Sequence, residues 1–142
     1  MPRILAGKPI IDALKEDGLK RVAALKDRGI DPVLAIVRIG ARPDDLSYER
    51  TAIKRAEALG IGVRLFQLYE DAGQDALMKA IGEINADQGI HGCLMFRPLP
   101  AGYDEEAACE ALDPRKDVDG IGRAALARVF TGRGEGFAPC TA

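Results

Sequence analysis

Tryptophan is absent, histidine occurs once, and only 5% of the 142 residues are aromatic. A flat ligand therefore has few partners to stack on, and each of the three tyrosines counts. Cysteine is scarce as well: Cys93, Cys109 and Cys140 are odd in number and show no metal-ligand spacing. With His91 the only histidine, this argues against a zinc or iron centre, and reduced thiols in a cytoplasmic protein are the expected state. No apolar run approaches the roughly 20 residues that a membrane helix needs, and the first residues lack a signal-peptide core. No charge of one sign dominates. Lys plus Arg number 20 and Asp plus Glu 22, a formal charge of -2, which leaves no electrostatic footprint for nucleic acid or an anionic membrane.

What remains is ordinary for one globular domain, with 47% apolar and 30% charged residues. A domain of this length buries about two-thirds of the surface of its unfolded chain. Residues 8–28 read as a long helix with Ile10, Leu14, Leu19, Val22 and Leu25 on one side and Gly29 as its stop. The run Val33-Leu34-Ala35-Ile36-Val37-Arg38-Ile39, set between Pro32 and Gly40, reads as a strand buried on both faces. A second helix extends from a cap at Asp44 and Asp45 through Ala58 to a stop at Gly60. Residues 62–68 and 90–96 give two more strands, and residues 74–86 and 103–112 two more helices. An apolar stripe on the 74–86 helix is a candidate homodimer surface. The glycine-dense stretch 132–136 lacks the strand before it and the helix after it that a phosphate loop requires, and reads as a flexible hairpin tip.

Alternation of this kind predicts an α/β fold with a parallel sheet. Ligands of such sheets bind beyond the carboxyl ends of the strands. Three segments fall there: residues 40–48, residues 97–100, and the turn Lys116-Asp117-Val118-Asp119-Gly120. Tyr48 starts a helix after a Gly40-Ala41-Arg42-Pro43 loop, where its phenol can stack on a flat ligand or pack as a surface ring against Pro43. Asp119 is open to two readings, accepting hydrogen bonds from an amino-heterocycle or capping the next helix from the turn. Pro98-Leu99-Pro100 fixes an extended segment after the third strand. Cys93 and Cys109 read as core, Cys140 has no partner base in view, and His91 reads as a satisfied structural histidine.

Taken together, these segments resemble the N-terminal, folate-binding domain of bifunctional methylenetetrahydrofolate dehydrogenase/cyclohydrolase. The resemblance covers nearly the whole chain. It runs from Leu5-Ala6-Gly7-Lys8 through residues 32–39, the Gly40-Ala41-Arg42-Pro43 loop, Tyr48, Gly60-Ile61 and residues 92–100. It continues through Pro114 and the 116–120 turn to Phe137-Ala138-Pro139-Cys140-Thr141. It implies a three-layer αβα fold with a mainly parallel sheet. It also implies a tetrahydrofolate derivative as ligand, with Tyr48 stacked on it and Asp119 holding the amino-pyrimidine edge of the pterin. The substrate site it implies comprises Tyr48, Ala52, Phe96, Arg97, Pro98, Leu99 and Asp119. The family oxidises methylenetetrahydrofolate with NAD or NADP and hydrolyses the methenyl product.

The chain departs from the family where that chemistry is done. The family's acid/base lysine, one helical turn after the tyrosine, is Ala52. Lys54 points some 240° round from Tyr48, at about 100° per residue. Arg55 returns toward the right face a turn further along, as a guanidinium that titrates too high for a base. The family's glutamine is Phe96, with Arg97 beside it, and a serine in the preceding loop is Asp45. Residues 1–142 are expected to form one folate-binding domain with the nicotinamide-binding Rossmann domain absent, since no GxGxxG-type strand–turn–helix occurs. NAD(P) would then come only through a missing or partner domain. The reading this supports is a dehydrogenase domain with an impaired cyclohydrolase step. The alternative is a non-catalytic folate-binding or regulatory protein, and weaker still a relic that binds something else. Arg97 separates them: paired with Asp45 it would fill the pocket, whereas an open cleft between Tyr48 and Asp119 favours folate.

Overall fold

The computed structural model describes residues 7–134 and 136–139. Strand β1 (Val33–Ile39) is the middle of a three-stranded sheet, between β2 (Gly62–Leu68) and β3 (Gly92–Met95), and both pairings are parallel. The helices among the described residues are α1 (Lys8–Asp27), α2 (Pro43–Leu59), α3 (Gln74–Ala86), α4 (Glu105–Ala111) and α5 (Arg123–Thr131).

Side chains alternate across a strand, so β1 faces two layers. Ala35, Val37 and Ile39 pack with Leu77, Ile81 and Ile84 of α3 and with Ala108, Cys109 and Leu112 in and after α4. Ile36, with Leu94 and Phe96, faces Ala52 and Ile53 of α2. Helix α1 packs outside, on α2. The result is the expected three-layer αβα arrangement around a parallel sheet. No helix among the described residues is long and apolar enough to cross a membrane.

Several local expectations are corrected. The α3 stripe (Leu77, Ala80, Ile81 and Ile84) is buried under the sheet, so it is core and offers no dimer surface. Helix α2 starts at Pro43 with Arg42 in the N-cap position, and no side chain caps it. Asp44 and Asp45 lie in its first turn, where they suit the positive end of the helix dipole. Gly60 ends α2 in the left-handed conformation, φ 77°, as expected of a glycine stop. Helix α5 appears in the sequence reading only as an unplaced helix after the 116–120 turn, with no range. Gly132 is its left-handed C-cap, so the glycine stretch begins as a helix stop rather than a hairpin tip; Glu135 lies outside the described residues. So do Leu5, Ala6, Cys140 and Thr141.

Candidate functional site

The site is assembled at the carboxyl end of the sheet, and the 116–120 turn is its most firmly anchored wall. Lys116 is buried, and its ammonium donates to the carbonyls of Ile84 (2.6 Å), Asn85 (3.1 Å) and Asp87 (2.7 Å). Those carbonyls end α3 and have no helical partner of their own, so one charged side chain satisfies the helix terminus. The Lys116 carbonyl in turn accepts from the Cys93 amide at 2.6 Å, which joins the turn to β3. Asp117 is only 2% exposed; its Oδ2 accepts from the Gly122 amide at 2.9 Å, and its Oδ1 has no partner. Val118 packs into the apolar cluster of Ile36, Leu94 and Phe96.

With Lys116, Asp117 and Val118 all committed inward, Asp119 is the acid that faces the cleft. The capping reading of Asp119 is settled by this geometry: the amide at the start of α5 goes to Asp117 instead. Among the described residues none donates a hydrogen bond to the Asp119 carboxylate.

Across the cleft, Tyr48 projects from α2 with 56% of its surface exposed. Its ring meets Phe96 edge-on, centroids 5.2 Å apart and planes at 64°, rather than lying flat on Pro43. The cleft has a volume of about 490 Å³ and is lined by Asp44, Asp45, Tyr48, Leu94, Met95, Phe96, Arg97 and Asp119. Sequence reasoning singled out Tyr48, Phe96, Arg97 and Asp119 and missed Asp44, Leu94 and Met95 as lining. Helical spacing carried the signal for the first of these, because Asp44 lies one turn before Tyr48 on the same face.

Ala52 sits beneath the cleft, its methyl packed among Ile36, Leu94 and Phe96. Pro98 is at the rim, after a cis Arg97–Pro98 bond, and Leu99 turns away to pack on the α3–α4 core. Lys54 lies on the far side of α2, as the helical angle requires. It lines a separate groove against α1 with Ile11, Leu14 and Lys15. Arg55, a turn further along from Tyr48 as expected, also reaches that groove and does not line the cleft.

Arg97 pairs with Glu105 (3.2 Å), whose other oxygen accepts from the Leu99 amide at 2.7 Å. Asp45 is taken by Arg42 through two hydrogen bonds of 2.8 and 3.2 Å, and Arg42 also donates to the Pro98 carbonyl at 3.2 Å. The hydrogen bond that Arg42 donates to Asp45 raises its guanidinium above the ordinary value. The Arg97–Asp45 pair that would have filled the pocket therefore does not form, and the cleft between Tyr48 and Asp119 is open.

The thiols stand apart from this chemistry. Burial, then the neighbouring Asp117 charge, pushes Cys93 up to about 12, so no thiolate forms at neutral pH. Cys109 is raised too, chiefly by burial. His91 accepts from the Val33 amide through Nδ1 (3.2 Å), and its own amide donates to the Val33 carbonyl (2.9 Å), the structural role expected of it.

Comparison with known proteins agrees with this architecture. Residues 5–119 match the family described as tetrahydrofolate dehydrogenase/cyclohydrolase, catalytic domain. The chain is 45% identical over 141 residues to the bifunctional protein FolD of Carboxydothermus hydrogenoformans, covering 99% of this chain and 49% of that protein. It is 42% identical over 139 residues to FolD of Clostridioides difficile, covering 98% and 48%. Among solved structures, FolD methylenetetrahydrofolate dehydrogenase/cyclohydrolase of Campylobacter jejuni superposes with a TM-score of 0.91 at 31% identity, over 95% of this chain and 48% of that one. The Trypanosoma brucei methylenetetrahydrofolate dehydrogenase-cyclohydrolase, complexed with NADP cofactor and inhibitor, gives 0.90 at 27% identity, over 99% and 49%. The chain thus spans about half the length of the relatives it matches. A turn that aims one acid at an open cleft, a tyrosine opposite it and this match over most of the chain lead to one conclusion: the chain belongs to the tetrahydrofolate dehydrogenase/cyclohydrolase family, over its catalytic domain.

Proposed function

We propose that this chain is the folate-binding domain of a 5,10-methylenetetrahydrofolate dehydrogenase whose cyclohydrolase step is lost. One observation carries the reading: the cleft is open between Tyr48 and Asp119, with the Phe96 ring in its wall and the Ala52 methyl packed in the apolar cluster behind that ring. A carboxylate fixed by its turn, with no donor among the described residues, suits an amino-pyrimidine edge, which offers adjacent N–H groups. The half-exposed Tyr48 ring gives the flat ligand a surface to stack on.

The two reactions of the family make different demands. Removing hydride from the methylene carbon leaves a methenyl cation stabilised by the two flanking nitrogens. No proton moves at that carbon, so the site has to orient the substrate and favour positive charge. Tyr48 and Asp119 orient it, and the Asp44 carboxylate adds negative charge to the cleft wall. Hydrolysis is different: water loses a proton as it adds, and a ring nitrogen gains one as its bond to carbon breaks. The Ala52 methyl and the Phe96 ring can carry neither proton.

The described residues do not fit a nicotinamide cofactor. The turn into α2 is Gly40-Ala41-Arg42-Pro43 and the turn into α3 ends at Gly73, and neither has the glycine pattern that cradles a pyrophosphate. NAD(P) therefore belongs to a further domain or a partner subunit. A cytoplasmic setting suits the free, buried Cys93 and Cys109.

Calorimetric titration with tetrahydrofolate tests the reading. Sub-millimolar binding that Asp119→Ala abolishes is expected; no heat from the wild-type chain would sink it. Oxidation of methylenetetrahydrofolate should require a nicotinamide-binding partner. Folate binding without turnover in that partner's presence would favour the non-catalytic alternative.

A further inference from the structure

We propose that the buried pair Arg38 and Glu49, joined by the exposed Gln67, forms a positioning network that sets where Tyr48 stands over the cleft. Arg38 is the next-to-last residue of β1, and Glu49 is the residue after Tyr48 on α2. Their side chains are each only 8% exposed, and Arg38 Nε donates to Glu49 Oε2 at 2.8 Å. Arg38 Nη1 donates to the carbonyl of Gly40, the left-handed turn residue between strand and helix. Glu49 Oε1 accepts from Gln67 Nε2 of β2 at 3.1 Å. One ion pair thus fastens the helix, the turn that leads into it and two strands.

The rest of this helix face cannot do the same. Ala52, Ile53 and Ala56 meet the sheet through apolar contact, which is non-directional and permits sliding. Charge-assisted hydrogen bonds are directional and fix a register. Among the described residues the Tyr48 ring makes one ring contact, edge-on with Phe96, so its position follows that of the helix.

The pair stands out energetically too. Among the described residues it is the one ion pair with both side chains buried, since every other pair has at least one exposed partner. Desolvation offsets most of the attraction in such a pair, and apolar replacements of both partners are often as stable. Its contribution is then placement more than stability. The consequence for ligand binding rests on the folate-site reading; the placement itself does not.

The test separates the two. Arg38→Met and Glu49→Leu should each lower Tm, because each strands a buried charge, and the double variant should recover most of that loss. NMR of the wild-type chain should show an NOE between the Tyr48 and Phe96 rings. The double variant should lose that NOE, and its tetrahydrofolate Kd should rise by about tenfold or more, as displaced binding groups do. Glu49→Gln, which keeps acceptor and hydrogen-bond geometry, should retain the NOE. Gln67→Leu, at an exposed position where folding is not at risk, removes only the β2 anchor and should weaken it. A full-strength ring NOE in both the double variant and Gln67→Leu overturns the proposal, whatever the wild-type chain binds. Loss of the NOE with no folate binding by the wild-type chain would instead uphold the network and overturn the folate reading.

Discussion

A methyl group placed on Gly92 would lie 2.6 Å from Cγ1 of Val118, closer than such carbons ever approach. Glycine at the start of β3 is therefore what lets the 116–120 turn lie against the strand and bring Asp119 to the cleft. Gly92→Ala should push Val118 outward and Asp119 with it. The expected cost is about 1–3 kcal/mol of overpacking, read by denaturant unfolding, with weaker tetrahydrofolate binding by calorimetry. Adding Val118→Ala makes room for the methyl and should restore much of both.

Lys116 secures the same turn from the other side. Replacing its ammonium with a thioether, Lys116→Met, keeps most of the side-chain volume, removes the ammonium from the carbonyls of Ile84 and Asn85, and leaves that of Asp87 with the Ile90 amide alone. A loss of about 2–4 kcal/mol is expected, since buried acceptors lose a charged partner. The measurement is urea unfolding with an unchanged slope. Stability within error of wild type would show that water replaces the ammonium there.

What could be read in advance follows from how local each feature is. The β1 run declares itself because it is apolar at six of seven consecutive positions, and the five from Ala35 to Ile39 are buried on both faces. The α3 stripe was legible as apolar, but a stripe looks the same whether it meets a sheet or another subunit, and only the fold shows it beneath β1. Helix α5 had no legible range, for the opposite reason. It buries Ala125 while Leu126, Val129 and the 90% exposed Phe130 face outward, so no single apolar stripe marks a core side. In the site, Tyr48 and Asp119 could be picked out from their motifs. That Asp117 rather than Asp119 holds the Gly122 amide depends on which acid the turn buries. The Arg38–Glu49 pair joins a strand to a helix through a turn, and no spacing rule anticipates it.

Asp113, which opens the same turn, gives a pH prediction. Hydrogen bonds from the Arg115 side chain, then from the Arg115 amide, lower its carboxyl to about 2. A carboxyl depressed in the folded state contributes stability above its unfolded value of about 3.9. That contribution is lost as pH falls toward 2. Asp113→Asn should therefore be less stable than wild type at neutral pH, by at most about 1 kcal/mol given the exposure of Arg115. The difference should shrink between pH ~4 and pH ~2. Thermal unfolding of both proteins across that range checks it; a difference that grows on acidification would mean Asp113 is held by something other than its charge.

Ala52 and Phe96 allow the proposed loss of hydrolysis to be reversed. Hydrolysis of methenyltetrahydrofolate needs no nicotinamide, so the chain can be assayed alone. The wild-type chain should not exceed the rate in buffer, because the positions proposed for the acid–base pair carry an alanine methyl and a phenyl ring, neither of which moves a proton. Ala52→Lys alone should be destabilised, since its ammonium would enter the cluster of Ile36, Leu94 and Phe96. Combined with Phe96→Gln, the amine gains an amide partner and stands one helical turn from Tyr48. Positioned acid–base groups are worth about 10²–10⁴ in rate. A gain of about tenfold over buffer would already identify these two positions as the lost machinery. A wild-type chain that hydrolyses the methenyl compound unaided would show that a group elsewhere, such as one of the cleft carboxylates Asp44, Asp45 or Asp119, moves the proton instead.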